Sequence, residues 1–133
     1  MKKYLLDTNI CIFYLKGKYS LIEKIKSAGK ENCFISEITI AKMKFDAANS
    51  NNSKENFEKV KMFENEFNII PIYSSLDIYA EEKARLRKEG KMVDDFDLLI
   101  GATSVTNDLV MVTNNTQHLG RIKNIRIEDW TKS

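Results

Sequence analysis

Histidine, cysteine, proline and glycine are all scarce in this chain, with one His, two Cys, one Pro and five Gly. Each shortage removes a class of chemistry. His118 lies in a short polar segment and reads as a surface residue, and no Ser-His-Asp triad can be assembled around it. Neither GxSxG, HExxH nor GxxxxGKS occurs, and there is no Gly-rich phosphate loop. Cys11 and Cys33 sit among apolar neighbours without a CxxC, so zinc spacing is missing and two buried free thiols are expected. Nothing approaches the ~20 consecutive apolar residues of a membrane span. Lys2-Lys3 runs directly into a predicted strand, without the apolar stretch of a secretory leader. A cytoplasmic location away from membranes is the expectation.

The composition is that of an ordinary globular protein, and the length suits a single domain, residues 1–133. The net charge of +2 conceals an uneven distribution. Residues 1–50 carry a balance of +4 and residues 51–100 a balance of −3. Lys16, Lys18, Lys24, Lys26 and Lys30 form a basic cluster that reads as a solvated helix face rather than a phosphate rim.

Short apolar runs alternate with amphipathic stretches. Tyr4-Leu5-Leu6 reads as a buried, central strand, and Asp7-Thr8-Asn9 as the entry to a helix. A helix over Tyr19 to Ala28 and a strand at Cys33-Phe34-Ile35 follow. Ser36 caps a helix to about Ala48 with the apolar stripe Ile38, Ala41, Phe45 and Ala48, bordered by Lys42. Phe57, Val60, Phe63 and Phe67 mark a further helix as core residues. Asn68 to Ile72 is a strand that Pro71 assigns to an edge. Ser74 or Ser75 starts a helix through Lys88, supported by Glu81 and Arg85 at i,i+4. Asp94 or Asp95 caps the next helix, which puts Asp97 in its first turn, and Gly101 implies close packing against the sheet. Leu109–Val112 and Ile125–Ile127 complete the strands. Such alternation predicts an α/β fold, three layers α/β/α around a mainly parallel sheet of four to five strands.

The remaining polar groups collect at predicted strand ends and helix starts: Asp7, Asp97 and Asn115, with Asp94 and Asp95 close by. In open α/β sheets that edge is where ligands bind. Carboxylate and amide oxygens are hard ligands suited to Mg²⁺ or Mn²⁺, which activate water and offset phosphate charge. Taken from spacing alone, Asp7 is either such a group or a helix cap.

At these residues the chain resembles a known family. YLLDTNICI, ISEITIA, DFDLLIGAT, VMVTNNTQHL and IEDW occur in this order between Lys3 and Trp130. The set resembles PIN-domain proteins, and closely the VapC toxins of type II toxin–antitoxin pairs. The resemblance implies a PIN-like fold and a Mg²⁺- or Mn²⁺-dependent endoribonuclease that hydrolyses RNA phosphodiester bonds. Asp7 and Asp97 match two acidic metal ligands. Asn115 matches a position that supports metal or water, and together with Asp7 and Asp97 makes the catalytic set. Thr113 and Asn114 match its neighbours, and Thr8 and Asn9 the residues after the first aspartate. A VapB-type antitoxin partner and a homodimer are implied in the same way.

One segment departs from the family. Where relatives usually read A-E-L, with an acidic site residue, this chain has Ala41-Lys42-Met43, and Asp46 stands where a small residue is common. An ammonium ~4 Å from a divalent ion repels it by about 8 kcal/mol at an effective dielectric of 20. Micromolar metal binding is worth about as much. An inward Lys42 would therefore bridge to Asp7 or Asp97 in place of a cation, leaving a catalytically impaired antitoxin-binding module. An outward Lys42 leaves the nuclease intact, with Asp46, one turn on, as its ion-pair partner or as extra acidic charge. A phosphoacceptor signalling domain has a similar layout, but no lysine directly follows Val112 and Asp7 stands alone on its strand.

Overall fold

The computed structural model describes residues 2–132. Met1 and Ser133, the ends of the single domain expected from the sequence, lie outside the described residues. The element order is β1 (Tyr4–Leu6), α1 (Thr8–Leu15), α2 (Leu21–Ala28), β2 (Cys33–Ser36), α3 (Glu37–Ala48), α4 (Ser53–Glu66), β3 (Asn68–Ile70), α5 (Leu76–Lys88), α6 (Asp95–Thr106), β4 (Val110–Val112), α7 (Thr116–Leu119) and β5 (Ile127–Glu128). The strands form one sheet in the order β3-β2-β1-β4-β5, and every adjacent pair is parallel. β1 is central, as expected. β3 lies at an edge and stops before Pro71, whose missing N–H suits that place.

Period-two alternation in very short strands fills both faces of this sheet. Leu6 and Val112 point into one core with Cys33 and Ile35, covered by α1 to α4. Leu5 and Met111 point into the other, covered by α5, α6 and the segment around Leu119 and Ile122. Burial on both faces explains why β1 and β4 read as continuous apolar runs. The Cys11 and Cys33 thiols are free and buried. Burial raises both, Cys33 to about 11, so neither is a reactive thiolate near neutral pH. Among the described residues, no helix is long and apolar enough to cross a membrane.

Several sequence expectations are corrected. α3 buries Thr39, Ile40, Met43 and Ala47, leaving Ala41, Phe45 and Ala48 in solvent. The predicted stripe is off that face because α3 must meet α4 and β2 on one side and α6 on the other. Ile38 faces the second core, across the sheet edge from Ile40. Phe57 is exposed on α4, while Val60, Phe63 and Phe67 are core. Tyr19 and Ser20 take positive φ, so α2 begins only at Leu21. Ser75 makes no capping hydrogen bond; the chain enters α5 through a 3-10 turn at Tyr73–Ser75. Arg85 bypasses Glu81 and forks onto Glu82, at 2.9 and 2.8 Å. Glu82 is the inward choice because its carboxylate also accepts the Lys123 N–H at 2.7 Å, pinning that loop to α5. β5 starts at Ile127 rather than Ile125, and Ile125 packs into the second core instead.

Gly101 is needed for close approach, though not to the sheet itself. A Cβ there would collide with Ile122 Cδ1 and sit 3.4 Å from Leu119 Cδ2. α6 can thus press against the segment that follows the candidate site. Gly101→Val is expected to destabilise the fold by about 1–3 kcal/mol through overpacking, read as a lower urea midpoint. An unchanged midpoint would show that this contact is loose.

Candidate active site

The sheet order reverses beside β1: the chain moves outward one way through β2 and β3, and the other way through β4 and β5. The crevice between the carboxyl ends of β1 and β4 is therefore the switch point where such sheets take ligands. Asp7 follows β1 directly, and its N–H donates to the Val112 carbonyl at 2.9 Å, which fixes it to the end of β4. The side chain is both cap and candidate functional group. Oδ1 accepts the Thr8 N–H at 2.8 Å, and Oδ2 accepts the Thr113 hydroxyl at 2.7 Å. Thr113 Oγ1 in turn accepts the Asn115 N–H at 2.9 Å, so one buried hydroxyl orders both flanks of the site. Thr8 Oγ1 lies 3.0 Å from Thr39 Oγ1 and ties this corner to α3.

Asp97 comes from the other side, on the first turn of α6. Asp94 is the N-cap; its carboxylate accepts the N–H groups of Phe96 at 3.1 Å and Asp97 at 3.4 Å. That frees Asp97, half-buried, to face Asp7 near the positive end of the helix dipole. Asn115 Nδ2 donates to Asp97 Oδ2 at 3.5 Å, a long contact, while its Oδ1 meets His118 Nδ1 at 2.9 Å. A cavity of about 650 Å³ opens here, lined in part by Asp94, Asp97, Asn115 and His118.

The electrostatics are those of two carboxylates without a counter-ion. Asp7 is 3% exposed, and burial pushes its carboxyl above the usual range against the Thr113 and Thr8 hydrogen bonds and the charge of Lys42. Asp97 is also raised, first by burial and then by the charge of Asp7, with Lys42 opposing. Lys42 thus faces both carboxylates, yet among the described residues it forms no ion pair within 4.0 Å. Its Nζ instead rests 5.7 Å from the centre of the Phe96 ring. The Lys42–carboxylate bridge weighed from the sequence is not formed, and neither is a Lys42–Asp46 pair.

The remaining expected residues divide clearly. Thr8 and Thr113 belong to the site as positioning groups. Asn9 and Asn114 are exposed, and neither side chain makes a hydrogen bond among the described residues. Asp95 turns away to Lys83 at 2.8 Å and Tyr79 at 3.0 Å, clamping α6 to α5. Asp46 is exposed, one turn beyond Lys42. His118, read from sequence as a surface residue, is exposed but sits on the rim through Asn115, and its charge lowers Asp97. The available signal was its i+3 spacing from Asn115 across the short helix α7.

Among the described residues, no group of three or more His, Cys, Asp or Glu converges closely enough to hold a metal. That disfavours a closed protein cage. It suits Mg²⁺ or Mn²⁺, which bind through one or two carboxylates and keep several waters for exchange with phosphate oxygens. The pair Asp7 and Asp97, both raised chiefly by burial and Asp97 also by the charge of Asp7, is the feature that fits such an ion.

Comparison with known proteins agrees with this geometry. The PIN-domain family model matches residues 4–124. The chain is 32% identical to the tRNA(fMet)-specific endonuclease VapC of Salmonella typhimurium, over 98% of this chain and 99% of that one. Its identity to the Shigella flexneri protein of the same name is 28%, over 98% and 100%. The structure of DNA-bound VapBC from Salmonella typhimurium superposes with a TM-score of 0.90, at 31% identity over 98% and 99% of the two chains. The chain belongs to the PIN-domain family, in its VapC branch.

Proposed function

We propose that this protein is a toxin-type endoribonuclease that hydrolyses RNA phosphodiester bonds with Mg²⁺ or Mn²⁺, and that a VapB-type antitoxin holds it in check. The observation that carries the reading is the placing of Asp7 and Asp97 at the sheet's switch point, with both carboxyls raised above their usual range chiefly by burial. Relatives named as ribonucleases and endonucleases support the reaction class, and solved VapBC complexes support the antitoxin partner. When bound, the ion would polarise a water and offset charge on the scissile phosphate.

The chain's own residues supply the rest. Asp7 and Asp97 would hold the ion. Thr113 orients Asp7 and fixes the backbone of Asn115, whose amide group points at Asp97. Such supporting groups typically govern metal affinity by 10–100-fold. A second reading, an impaired enzyme that only binds its antitoxin, draws on one observation: the positive charge of Lys42 faces both carboxylates.

Purified protein is expected to cut RNA with Mg²⁺ or Mn²⁺ and to stop with EDTA. Asp7→Asn or Asp97→Asn should each reduce the rate by more than about 100-fold, beyond the loss from an outer partner such as Thr113→Val. If the unmodified chain is inert on several RNAs while Lys42→Glu cuts, the second reading replaces the first.

A stability prediction follows from the raised carboxyls. The folded, metal-free state binds these protons more tightly than the unfolded chain. The pair's contribution to stability is therefore fullest below the unfolded carboxylate pKa and is lost as pH rises through the folded values. The metal-free melting temperature of Asp7→Asn relative to the unmodified chain should rise from acid to neutral pH, on top of a pH-independent loss from the one hydrogen bond the amide cannot accept. Mn²⁺ at about 100 times its Kd should add about 2.7 kcal/mol to the unmodified chain and nothing to Asp7→Asn. A difference between the two melting temperatures that does not change with pH would contradict the electrostatic assignment.

A further inference from the structure

A groove between α3 and α6 adjoins the acidic pair. It encloses about 540 Å³ and is lined by Ala41, Lys42, Phe45, Asp46 and Phe96. Two large aromatic rings stand there in solvent, Phe45 at 65% exposure and Phe96 at 51%. α3 has met its packing needs with Ile40, Met43 and Ala47, so Phe45 does nothing for the core. Phe96 is the sequence neighbour of Asp97, and its ring carries the Lys42 ammonium. That ammonium acts on both Asp7 and Asp97 while remaining outside any ion pair among the described residues.

A cation held off from two carboxylates leaves room for an anion between them. A phosphodiester held at Asp7 and Asp97 places its oxygens in that gap, and its flanking nucleoside then extends over the aromatic wall. The groove's own lining offers an ammonium, two rings and one carboxylate, Asp46; the acid pair lies next to it through Asp97, the sequence neighbour of Phe96, so a phosphate held there could meet Lys42 and its base a ring. A buried apolar side chain of a protein partner would use the rings but make no use of the Lys42 ammonium.

We propose that the α3–α6 groove is the nucleotide subsite beside the scissile phosphate, with Lys42 donating to a phosphate oxygen and Phe45 stacking on the neighbouring base. This rests on the ribonuclease reading and adds to it a phosphate-binding and a base-binding residue. Phe96 is a positioning residue that carries the Lys42 stem and head. Lys42 then has two opposed effects: it weakens binding of a divalent ion in the absence of RNA and strengthens binding of RNA.

The test is binding of a fluorescent single-stranded RNA oligonucleotide to the full chain carrying Asp7→Asn, which prevents cleavage, across a salt series. Adding Lys42→Ala should lower affinity and reduce the slope of log K against log salt by about 0.7, one single-strand phosphate contact. Adding Phe45→Ala should cost about tenfold with the slope unchanged, and Phe45→Tyr should restore affinity. Tyr73→Ala, an aromatic 84% exposed outside the groove, should alter neither. In the chain with Asp7 intact and no RNA, Lys42→Ala should tighten Mn²⁺ binding measured by calorimetry. An unchanged slope for Lys42→Ala, an unchanged affinity for Phe45→Ala, or absence of RNA binding overturns the subsite. A change of oligomeric state with Phe45→Ala, without loss of RNA binding, would assign the groove to a protein partner and also overturn it. Failure is distinguishable from that of the parent reading: loss of cleavage by Asp7→Asn with Phe45 indifferent rejects only the subsite. The expected binding pattern in a chain that never cuts RNA rejects only the nuclease.

Discussion

A carboxylate buried at the end of a central parallel strand is costly unless its charge is met. Asp7 is such a group, and the surrounding architecture positions it without neutralising it. Two hydrogen bonds, from the Thr8 N–H and the Thr113 hydroxyl, tie it to α1 and to the end of β4. They fix direction and lower its pKa, but burial outweighs them. The N-cap of α6 then brings a second carboxylate, Asp97, to face it. Raised carboxyls at a ligand-binding edge are the feature on which the proposed divalent ion rests.

Lys42 meets part of that demand from a distance. Its Nζ rests on the Phe96 ring and outside any ion pair among the described residues, while its charge still lowers both carboxyls. A residue that would block a divalent ion at 4 Å is a much smaller opponent when set back and screened. The same placement is what the proposed phosphate contact of Lys42 relies on. One lysine thus links the charge balance of the site to the aromatic groove beside it.

Much of the fold was legible because it rests on local rules. The apolar runs at Tyr4–Leu6 and Val110–Val112, and Asp94 as a cap, each carry their own signal, and helix–strand alternation implied the parallel sheet. What failed depends on partners distant in sequence. The exposed side of α3 was misread because Ala41, Phe45 and Ala48 look like core residues until α4 and α6 are both in place, whereas Ile38 does pack against the second core. Arg85 has Glu81, Glu82 and Glu89 within helical reach and takes the last two, and the Lys123 loop selects Glu82 over Glu81. At the site, the motif residues Asp7, Asp97, Thr113 and Asn115 came together as expected. Asn9, Asn114 and Asp95 did not, since a residue adjacent to a site in sequence points elsewhere on a helix or bend. His118 was passed over because its place on the rim comes from a turn of α7 that polar residues signal weakly.

The most direct test is to follow the side-chain carboxyl carbons of Asp7 and Asp97 by NMR through a pH titration, without divalent ions and then with Mg²⁺. The expected result is that both titrate above the ordinary carboxylate range in the metal-free protein and fall together when Mg²⁺ is added. Two carboxyls titrating at or below the ordinary range and indifferent to Mg²⁺ would contradict a cation-demanding pair, and with it the metal-dependent site.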